Sequence, residues 1–261
     1  GCHIYNAAFL LSINSQVIGG EYRTSSYAPP ALTLAPEVSG KYLQMKDVFT
    51  ENINGKSAAG IVLYENDLVF DKVVVDNVIC KGTKNVAASN YSSMFFLRTR
   101  NANANGTIKN TYINNLDSEF SSASTGADYA LGVGVGSNIT ADVILTNNNL
   151  AGRFDKTRSI YISVNGTIKS SNNNYVGGDV SNYASVVSKG VFKSVNDTFD
   201  CNNTALYHFI STTDNVEIIN PAIVNSNSFG LRINGSSNVL ISNPTLKGVT
   251  NPILVDTTIP Y

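Results

Sequence analysis

A sequence that occurs twice in the C-terminal part of the chain constrains the fold more than any other feature. The segments NVEIINPAIVN (215–225) and NVLISNPTLKG (238–248) share an Asn-Pro pair. Both also carry apolar residues two and four positions before that Asn, and another apolar residue three positions after it. Self-similarity at a fixed period is the signature of a solenoid or an array. The chain is therefore predicted to consist of stacked copies of one unit.

The pattern continues towards the N-terminus when Asn243 is taken as a register mark. The residue three positions after each mark is apolar or aromatic, and the further marks are Asn220, Asn196, Asn172, Asn147, Asn110, Asp76, Lys46 and Asn14. Counted back from Asn243, successive marks differ in residue number by 23, 24, 24, 25, 37, 34, 30 and 32. The repeat therefore extends over nearly the whole chain, and we expect one domain over 1–261.

Each unit reads as about three short strands. Val216 and Ile218, like Val239 and Ile241, stand four and two positions before the mark, and a spacing of two is the period of a half-buried strand. A second apolar run follows in each unit, for example SIYISV (159–164). No segment has helical periodicity. The predicted fold is all-β, a single-stranded right-handed parallel β-helix of about nine coils, with neighbouring coils about 4.8 Å apart.

The recurring Asn has a physical reason in such a fold. It lies where one strand turns into the next, and Asn tolerates left-handed backbone angles. Its side-chain amide can also donate to and accept from the same group one coil above and one coil below. The repeat is therefore expected because each coil must match its neighbours.

Composition excludes several classes of protein. The net charge of −1 and the 14% of charged residues give no electrostatic attraction to nucleic acid or to an anionic membrane. The 43% of hydrophobic residues is too high for a disordered chain. No apolar run is long enough to span a bilayer. We expect neither nucleic acid nor a membrane among the partners.

Cysteines and histidines are few. Cys2, Cys80 and Cys201 are an odd number, and the last two are expected to be buried without a disulfide, as suits folding in a reducing cytoplasm. Without a Cys/His cluster, no metal and no cofactor is expected. Because the chain begins inside the repeat pattern, and an open β-helix end exposes unpaired strand edges, we expect further domains or virion proteins at that end.

The repeat resembles the pectate-lyase-like superfamily of parallel β-helices, which includes pectinases, polysaccharide epimerases, autotransporter adhesins and bacteriophage tailspikes. The polygalacturonase segments Asn-Thr-Asp, Asp-Asp, Gly-His-Gly and Arg-Ile-Lys are absent. The Asn-, Ser- and Gly-rich, low-charge, Tyr-rich composition is most similar to a tailspike or tail-fibre domain. That resemblance implies a homotrimer in the virion (phage tail) or outside the cell, which binds and often cleaves a bacterial surface polysaccharide.

The longest intervals between marks indicate where a binding groove lies. They contain the segments 81–93 and 115–129, which are predicted to be long loops of consecutive coils and so to lie side by side. The predicted groove region is therefore about 81–129.

Candidate site residues follow from the chemistry of glycans. Hydrolysis of a glycoside needs two carboxyl groups, about 5–5.5 Å or 6.5–9.5 Å apart. Carboxylates one or two coils apart meet either distance, and the candidates are Asp117, Glu119 and Asp155. Aromatic faces suit the apolar face of a pyranose, and guanidinium groups suit acidic sugars. The candidate substrate-binding residues are Tyr91, Arg98, Tyr129, Arg158 and Tyr161.

Other placements on the third strand stay open. Tyr161, Tyr207 and Arg232 are predicted to point outward, either against a glycan or into a trimer interface, and His208 is predicted to point inward.

Three functions remain possible. The first is a virion-associated tailspike domain that binds and degrades a surface polysaccharide, as a glycoside hydrolase. The second is a non-catalytic receptor-binding, adhesin or structural β-helix. The third is a secreted polysaccharide lyase or epimerase.

Overall fold

The computed structural model describes most of the chain. The described residues are 3–5, 14–24, 30–53, 58–83, 93–100, 104–124, 128–136, 138–178, 183–204, 207–212, 214–236 and 238–256. Within them there are strands and turns and no helix.

The strands are numbered in chain order. They are β1 (His3–Tyr5), β2 (Gln16–Ile18), β3 (Glu21–Thr24), β4 (Leu32–Leu34), β5 (Gly40–Asn52), β6 (Ala59–Leu63), β7 (Leu68–Gly82), β8 (Ser93–Thr99), β9 (Asn105–Phe120), β10 (Asp128–Val133), β11 (Asn138–Thr146), β12 (Asn149–Ala151), β13 (Thr157–Ile162), β14 (Val164–Asn165), β15 (Thr167–Ser171), β16 (Asn174–Val176), β17 (Ser185–Val187), β18 (Val191–Val195), β19 (Thr198–Thr204), β20 (His208–Ser211), β21 (Val216–Ile219), β22 (Ala222–Asn234), β23 (Val239–Ser242) and β24 (Thr245–Asp256).

Every pairing between these strands is parallel, and the strands stack in three columns. The first column contains β2, the first parts of β5, β7 and β9, then β11, β14, β15, β18, β21 and β23. The second contains β1, β3, the last parts of β5, β7 and β9, then β12, β16, β19 and the first parts of β22 and β24. The third contains β4, β6, β8, β10, β13, β17, β20 and the last parts of β22 and β24. The chain is therefore all-β, with one continuous parallel sheet as in a parallel β-helix.

The core lies inside the three columns. Successive residues of a strand point to opposite sides, so every second side chain enters the interior. The row Val75, Ile113 and Leu145 shows this, since the three residues are adjacent in the ladder and none is more than 1% exposed. The largest fully buried side chains include Phe70, Phe95, Phe120, Tyr175, Phe192 and Phe199. Stacked apolar rows of this kind form one contiguous hydrophobic cluster.

The turn between the first and second columns has a left-handed residue in each coil. The five C-terminal marks have φ between 50° and 57°, as predicted for the turn, and they are Asn147, Asn172, Asn196, Asn220 and Asn243. Exposed amide bonds join them, since Nδ2 of Asn220 donates to Oδ1 of Asn196 at 3.1 Å and Nδ2 of Asn243 donates to Oδ1 of Asn220 at 3.3 Å. The predicted Asn ladder is present in this part of the chain.

The four N-terminal marks were wrong. At this corner the left-handed residues are Gly19, Asp47, Asn77 and Asn115, in place of Asn14, Lys46, Asp76 and Asn110. Asn14 is itself left-handed, with φ 57°, but it lies before β2 and not at this corner. The strand pairing shows that Asn77 and Asn115 are equivalent positions of neighbouring coils, because Asp76 pairs with Asn114 and Val78 pairs with Leu116. The corrected differences in residue number, counted from 243 back to 19, are 23, 24, 24, 25, 32, 38, 30 and 28.

The errors have physical causes. In VVVDNVI (73–79) the three adjacent valines do not show which positions of the strand face inward. In the structure only Val73 and Val75 of the three do so. In β9 an irregularity opposite Ala141 and Val143 shifts the register, so that Asn110 lies within the strand. At the first coil the left-handed position is taken by Gly19, with φ 74°, which needs no side-chain amide.

A second, buried ladder follows the marks by one residue. Asn148, Asn173 and Asp197 occupy this position in three consecutive coils, and each is at most 2% exposed. Oδ1 of Asn173 accepts the backbone N–H of Asn148 at 2.9 Å and its Nδ2 at 2.8 Å. Oδ1 of Asp197 accepts the backbone N–H of Asn173 at 2.7 Å and its Nδ2 at 3.0 Å. The side chains therefore satisfy backbone groups of the preceding coil.

Asp197 ends this ladder inside the core. Its Oδ2 accepts the hydroxyls of Ser194, at 2.6 Å, and of Ser170. Burial raises the pKa of Asp197 above its usual value, and these hydrogen bonds act against that rise. The same position is Pro221 and then Pro244 in the next coils, and proline has neither a side-chain acceptor nor a backbone N–H to pair.

His208 lies inside the third column, as predicted. It is fully buried, its Nδ1 lies 2.8 Å from Oγ of Ser185, and its ring meets the Phe199 ring edge-on at 5.3 Å. Nε2 has no hydrogen-bond partner among the described residues. Burial lowers the pKa of His208 to about 4, although the backbone of Asp200 acts in the opposite direction.

The buried ladder predicts a large difference between two adjacent asparagines. Asn173→Ala should lower the free energy of unfolding by about 3 kcal/mol, because it leaves buried partners in two coils unpaired. Asn174→Ala, which removes a partly exposed bond to Asn149 at 3.0 Å, should cost about 1 kcal/mol or less. Urea unfolding measures both, and equal losses would contradict a specific role for the buried ladder.

His208 predicts a pH dependence of stability. The unfolded chain takes up the His208 proton near pH 6.5 and the folded chain only near pH 4. Between these values the unfolded state binds more protons, so stability falls as pH falls, by about 2 kcal/mol from pH 7 to pH 5 for this group. The raised pKa of Asp197 acts in the opposite direction, so the comparison must isolate His208.

The matched variant is His208→Phe, which keeps an aromatic ring and removes the titration. Urea unfolding at pH 7 and pH 5 should show a larger loss for the natural chain than for His208→Phe. The same change in both proteins would show that His208 does not titrate between these pH values.

Candidate functional site

The outer face of the third column carries a groove lined by aromatic residues. Tyr161 pairs with Val186 in the ladder and Val186 with Phe209, so these side chains form one outward row. The depression has a volume of about 420 Å³. We call it the aromatic groove, and its lining is Tyr129, Arg158, Tyr161, Tyr183, Val186, Ser188, Phe209 and Ser211.

The rings of the groove support one another. The rings of Tyr129 and Tyr161 lie 5.1 Å apart, with a tilt of 42°. The rings of Tyr183 and Phe209 are stacked at 4.7 Å, with an angle of 12° between their planes. Tyr207 packs edge-on against Phe209 at 6.0 Å. Because each ring is held by a neighbour, the apolar surface of the groove is preorganised.

Arginines lie at the two ends of this aromatic row. The guanidinium of Arg158 donates to the hydroxyl of Tyr129 at 2.8 Å, and its Cζ lies 5.3 Å from the centre of that ring. Arg232 donates to the hydroxyl of Tyr207 at 2.9 Å and lies 3.5 Å from the carboxylate of Asp256. The arginines therefore fix the tyrosine rings and add cation–π contacts.

Three of the predicted substrate-binding residues meet in the aromatic groove, namely Tyr129, Arg158 and Tyr161. Arg98 is on the outer face of the same column but outside the groove, with its Cζ 4.9 Å from the centre of the Phe96 ring. Tyr91 lies outside the described residues.

Sequence reasoning missed Phe209, Val186 and two serines of the groove. The sequence pattern that could have identified them is a triplet that recurs in the third column. It consists of an outward side chain, an inward side chain and an outward hydroxyl. It reads Tyr-Ile-Ser at 161–163, Val-Val-Ser at 186–188 and Phe-Ile-Ser at 209–211. Aligned triplets of this kind predict two parallel outward rows, one apolar and one hydroxylated.

Two of the three predicted catalytic carboxylates, Asp117 and Glu119, lie on the second column in a cluster of charges. Nζ of Lys81 lies 2.7 Å from Oδ2 of Asp117 and 3.0 Å from Oε2 of Glu119. Arg153 approaches Glu119 at 3.5 Å, and Nδ2 of Asn149 donates to Asp117 at 2.8 Å. We call these residues the charge cluster. Partial burial lowers the pKa of Lys81, but the two carboxylates outweigh that effect and raise it above its usual value.

The charge cluster has two chemical interpretations. Since both carboxylates contact one Nζ, their contacting oxygens lie at most 5.7 Å apart, the total of the two contact distances. This upper limit is compatible with the carboxyl spacing of about 5–5.5 Å in a retaining glycosidase. However, neighbouring cations favour the ionised form of a carboxyl group, whereas hydrolysis requires one group to deliver a proton. A ladder of alternating charges explains the same contacts without any reaction.

Asp155, the third predicted carboxylate, lies in a turn and not on a strand of the second column. It is exposed in the turn at 152–156 that leads from β12 to β13, two residues after Arg153. Its backbone carbonyl accepts the N–H of Ser124 at 3.1 Å, which links this turn to the one before β10.

The predicted loops are shorter than expected where the structure describes them. Residues 115–120 belong to β9, because the coil turns at Asn115 and the strand continues into the second column. The remaining loop residues before β10 are 121–127, of which 125–127 lie outside the described residues. Of the other loop, 84–92 lies outside them as well.

Two kinds of feature are absent from the described residues. No group of three or more His, Cys, Asp or Glu side chains there is arranged to hold a metal ion. A helix that could span a bilayer is likewise absent from this part of the chain.

Comparisons with known proteins add no family. No protein-family model matches the chain, and neither a curated protein nor a solved structure matches it. Any functional conclusion therefore depends on the surfaces described above.

Proposed function

We propose that this chain is a tailspike-type, right-handed β-helix of about nine coils that binds a bacterial surface polysaccharide. The observation that carries the proposal is the aromatic groove on the third column. A pyranose has an apolar face that suits an aromatic ring, and its hydroxyls suit a polar border. In the groove, Tyr161 and Phe209 supply the rings, while Ser188 and Ser211 supply hydroxyls.

The direction of the groove favours a polymer as the ligand. Its lining comes from β10, β13, β17 and β20, which are consecutive members of one column. Three steps of about 4.8 Å give the row a length of about 14 Å along the stack. A row that follows the stacking direction suits several units of an extended chain better than one small molecule.

Preorganisation also supports binding. The stacked pair of Tyr183 and Phe209 and the bond from Arg158 to Tyr129 hold the rings before a ligand arrives. A surface that is already ordered loses less side-chain entropy on binding.

The proposal includes the setting of a tailspike: a homotrimer in a phage tail or outside the cell, with further domains or virion proteins attached, folded first in a reducing cytoplasm. The state of two cysteines supports the last point. Cys80 and Cys201 are buried free thiols, and burial raises the pKa of each to about 12, which makes them unreactive.

Hydrolysis of the bound polysaccharide is a second candidate function. It is favoured by one observation: the contacting oxygens of Asp117 and Glu119 lie at most 5.7 Å apart, a limit that includes the spacing of a retaining carboxyl pair. In that case Lys81 must release one carboxyl group when the glycan binds. The third possibility, a lyase or epimerase, has no feature of this kind in its favour among the described residues.

Binding should depend on the rings of the aromatic groove. Tyr161→Ala and Phe209→Ala should each weaken binding about tenfold or more, because each removes an aromatic face from the sugar. The control is Phe154→Ala, since Phe154 is 38% exposed and outside the groove. The measurement is equilibrium binding to a panel of capsular and O-antigen polysaccharides. Unchanged affinity in both groove variants, or no binding by the natural chain, would contradict the proposal.

Hydrolysis should depend on the charge cluster. If the chain is a hydrolase, new reducing ends should appear with a bound polysaccharide, and Asp117→Asn or Glu119→Gln should slow their release about a hundredfold. Asp155→Asn tests the remaining candidate, and Asp71→Asn is the control, because Asp71 forms an exposed ion pair with Lys109.

The products separate the three functions. Reducing ends that persist in every carboxylate variant would exclude these residues as catalysts. Products that absorb as unsaturated sugars would indicate a lyase. Binding without any product would leave the receptor-binding function alone.

A further inference from the structure

A second depression adjoins the aromatic groove at the corner where the third column ends. Its volume is about 360 Å³, and we call it the polar pocket. Its lining is Asn165, Ser188, Lys189, Gly190, Ser211, Thr212, Asp214, Asn234 and Gly235. Ser188 and Ser211 line both depressions, so the polar pocket and the aromatic groove form one continuous surface.

The recurring triplets explain why the two surfaces meet. Val186 and Ser188 are two residues apart, as are Phe209 and Ser211, so the members of each pair point to the same side. Two residues of strand span about 7 Å. A ligand that lies on the apolar row therefore has a row of hydroxyls beside it, and beyond that row the chain turns into the polar pocket.

Buried residues form hydrogen bonds across this corner. Oγ1 of Thr212 donates to the carbonyl of Gly190 at 2.7 Å and accepts the N–H of Asp214 at 3.1 Å. Oγ of Ser236 donates to the carbonyl of Thr212 at 3.0 Å, which links the next coil. Gly190 has φ 82°, and a Cβ there would lie 2.5 Å from the carbonyl oxygen of Gly166, so the coils pack closely.

The same corner presents polar groups to solvent. Lys189 and Asp214 are both exposed at the mouth of the polar pocket. Lys189 donates hydrogen bonds and Asp214 accepts them, while Asn165, Asn234 and the serines do both. Their formal charges cancel, so the pocket has no net charge to attract an anion, and Asp214 repels an acidic group.

We infer that the polar pocket is a second subsite for the same glycan, which holds a neutral, hydroxyl-rich sugar unit next to the unit on the aromatic groove. This rests on the proposed function. A sugar hydroxyl both donates and accepts, so it matches a pocket that offers both kinds of group at fixed positions. Stacking on rings distinguishes sugars weakly, whereas a site built from hydrogen-bonding groups rejects a ligand that leaves them unpaired. The polar pocket therefore sets which polysaccharide binds.

The test is binding of the whole chain to the polysaccharide panel with two independent variants, Asp214→Asn and Lys189→Ala. Each should weaken binding of the preferred polysaccharide about tenfold, and each should change the order of affinities across the panel. The matched control is Asp67→Asn, because Asp67 is also an exposed turn residue and lies between β6 and β7. The melting temperature of each variant checks that the fold is kept.

The outcomes separate this inference from the proposed function. If Asp214→Asn and Lys189→Ala bind every polysaccharide as the natural chain does, while Phe209→Ala loses affinity, the polar pocket is not a subsite and the aromatic groove still binds glycans. If the natural chain binds no member of the panel, both are overturned. If Asp214→Asn binds acidic polysaccharides more tightly and neutral ones more weakly, while Lys189→Ala weakens binding of both, the preference for a neutral sugar is supported.

Discussion

The structure depends on a left-handed residue that recurs at the same corner of the stack. Parallel pairing in register forces every coil to turn where its neighbours turn. Asn147, Asn172, Asn196, Asn220 and Asn243 meet this need, because asparagine tolerates the left-handed region and its amide bonds to the next coil. Where the amide is not needed, Gly19 does the same. The columns, the core and the outer surfaces all follow from this shared corner.

The buried ladder next to this corner adds specificity. Asn148, Asn173 and Asp197 are enclosed, yet each side-chain oxygen accepts a backbone N–H from the coil before it. A slip of one residue would leave these groups unpaired inside the core, at a cost of about 1–3 kcal/mol each. Hydrophobic rows such as Val75, Ile113 and Leu145 stabilise the stack, but a row of similar aliphatic residues tolerates a shift better than this polar row does.

The sequence predicted the all-β parallel fold because the repeat is regular in the C-terminal coils, which are minimal in length. The sequence placed the corner residue wrongly in the N-terminal coils, where the repeat is no longer regular. Three consecutive valines before Asn77 and an irregular ladder at Ala141 hide the true corner, so Asp76 and Asn110 were chosen. The pairing of Lys81 with Asp117 could not be predicted, because it depends on the interval between Asn77 and Asn115, which was misread by four residues (38 against 34).

The sequence predicted the types of residue in the candidate site, but not all of the residues that form it. Tyr129, Arg158 and Tyr161 were named for their chemistry, and the third column brings them into one groove. Phe209 and Val186 were missed because each resembles an ordinary strand residue until the third-column triplets are aligned. The carboxylates Asp117 and Glu119 contact cations, since Lys81 and Arg153 approach from the neighbouring coils. The aromatic groove therefore supports a binding function more directly than the charge cluster supports a reaction.

The most direct test of polysaccharide binding is to locate a bound oligosaccharide by crystallography, with a fragment of a polysaccharide that the chain binds. A sugar ring stacked on Tyr161 and Phe209, with its chain running along the third column, is the predicted result. An oligosaccharide seated instead on the second column at Asp117 and Glu119, with the aromatic groove empty, would contradict it.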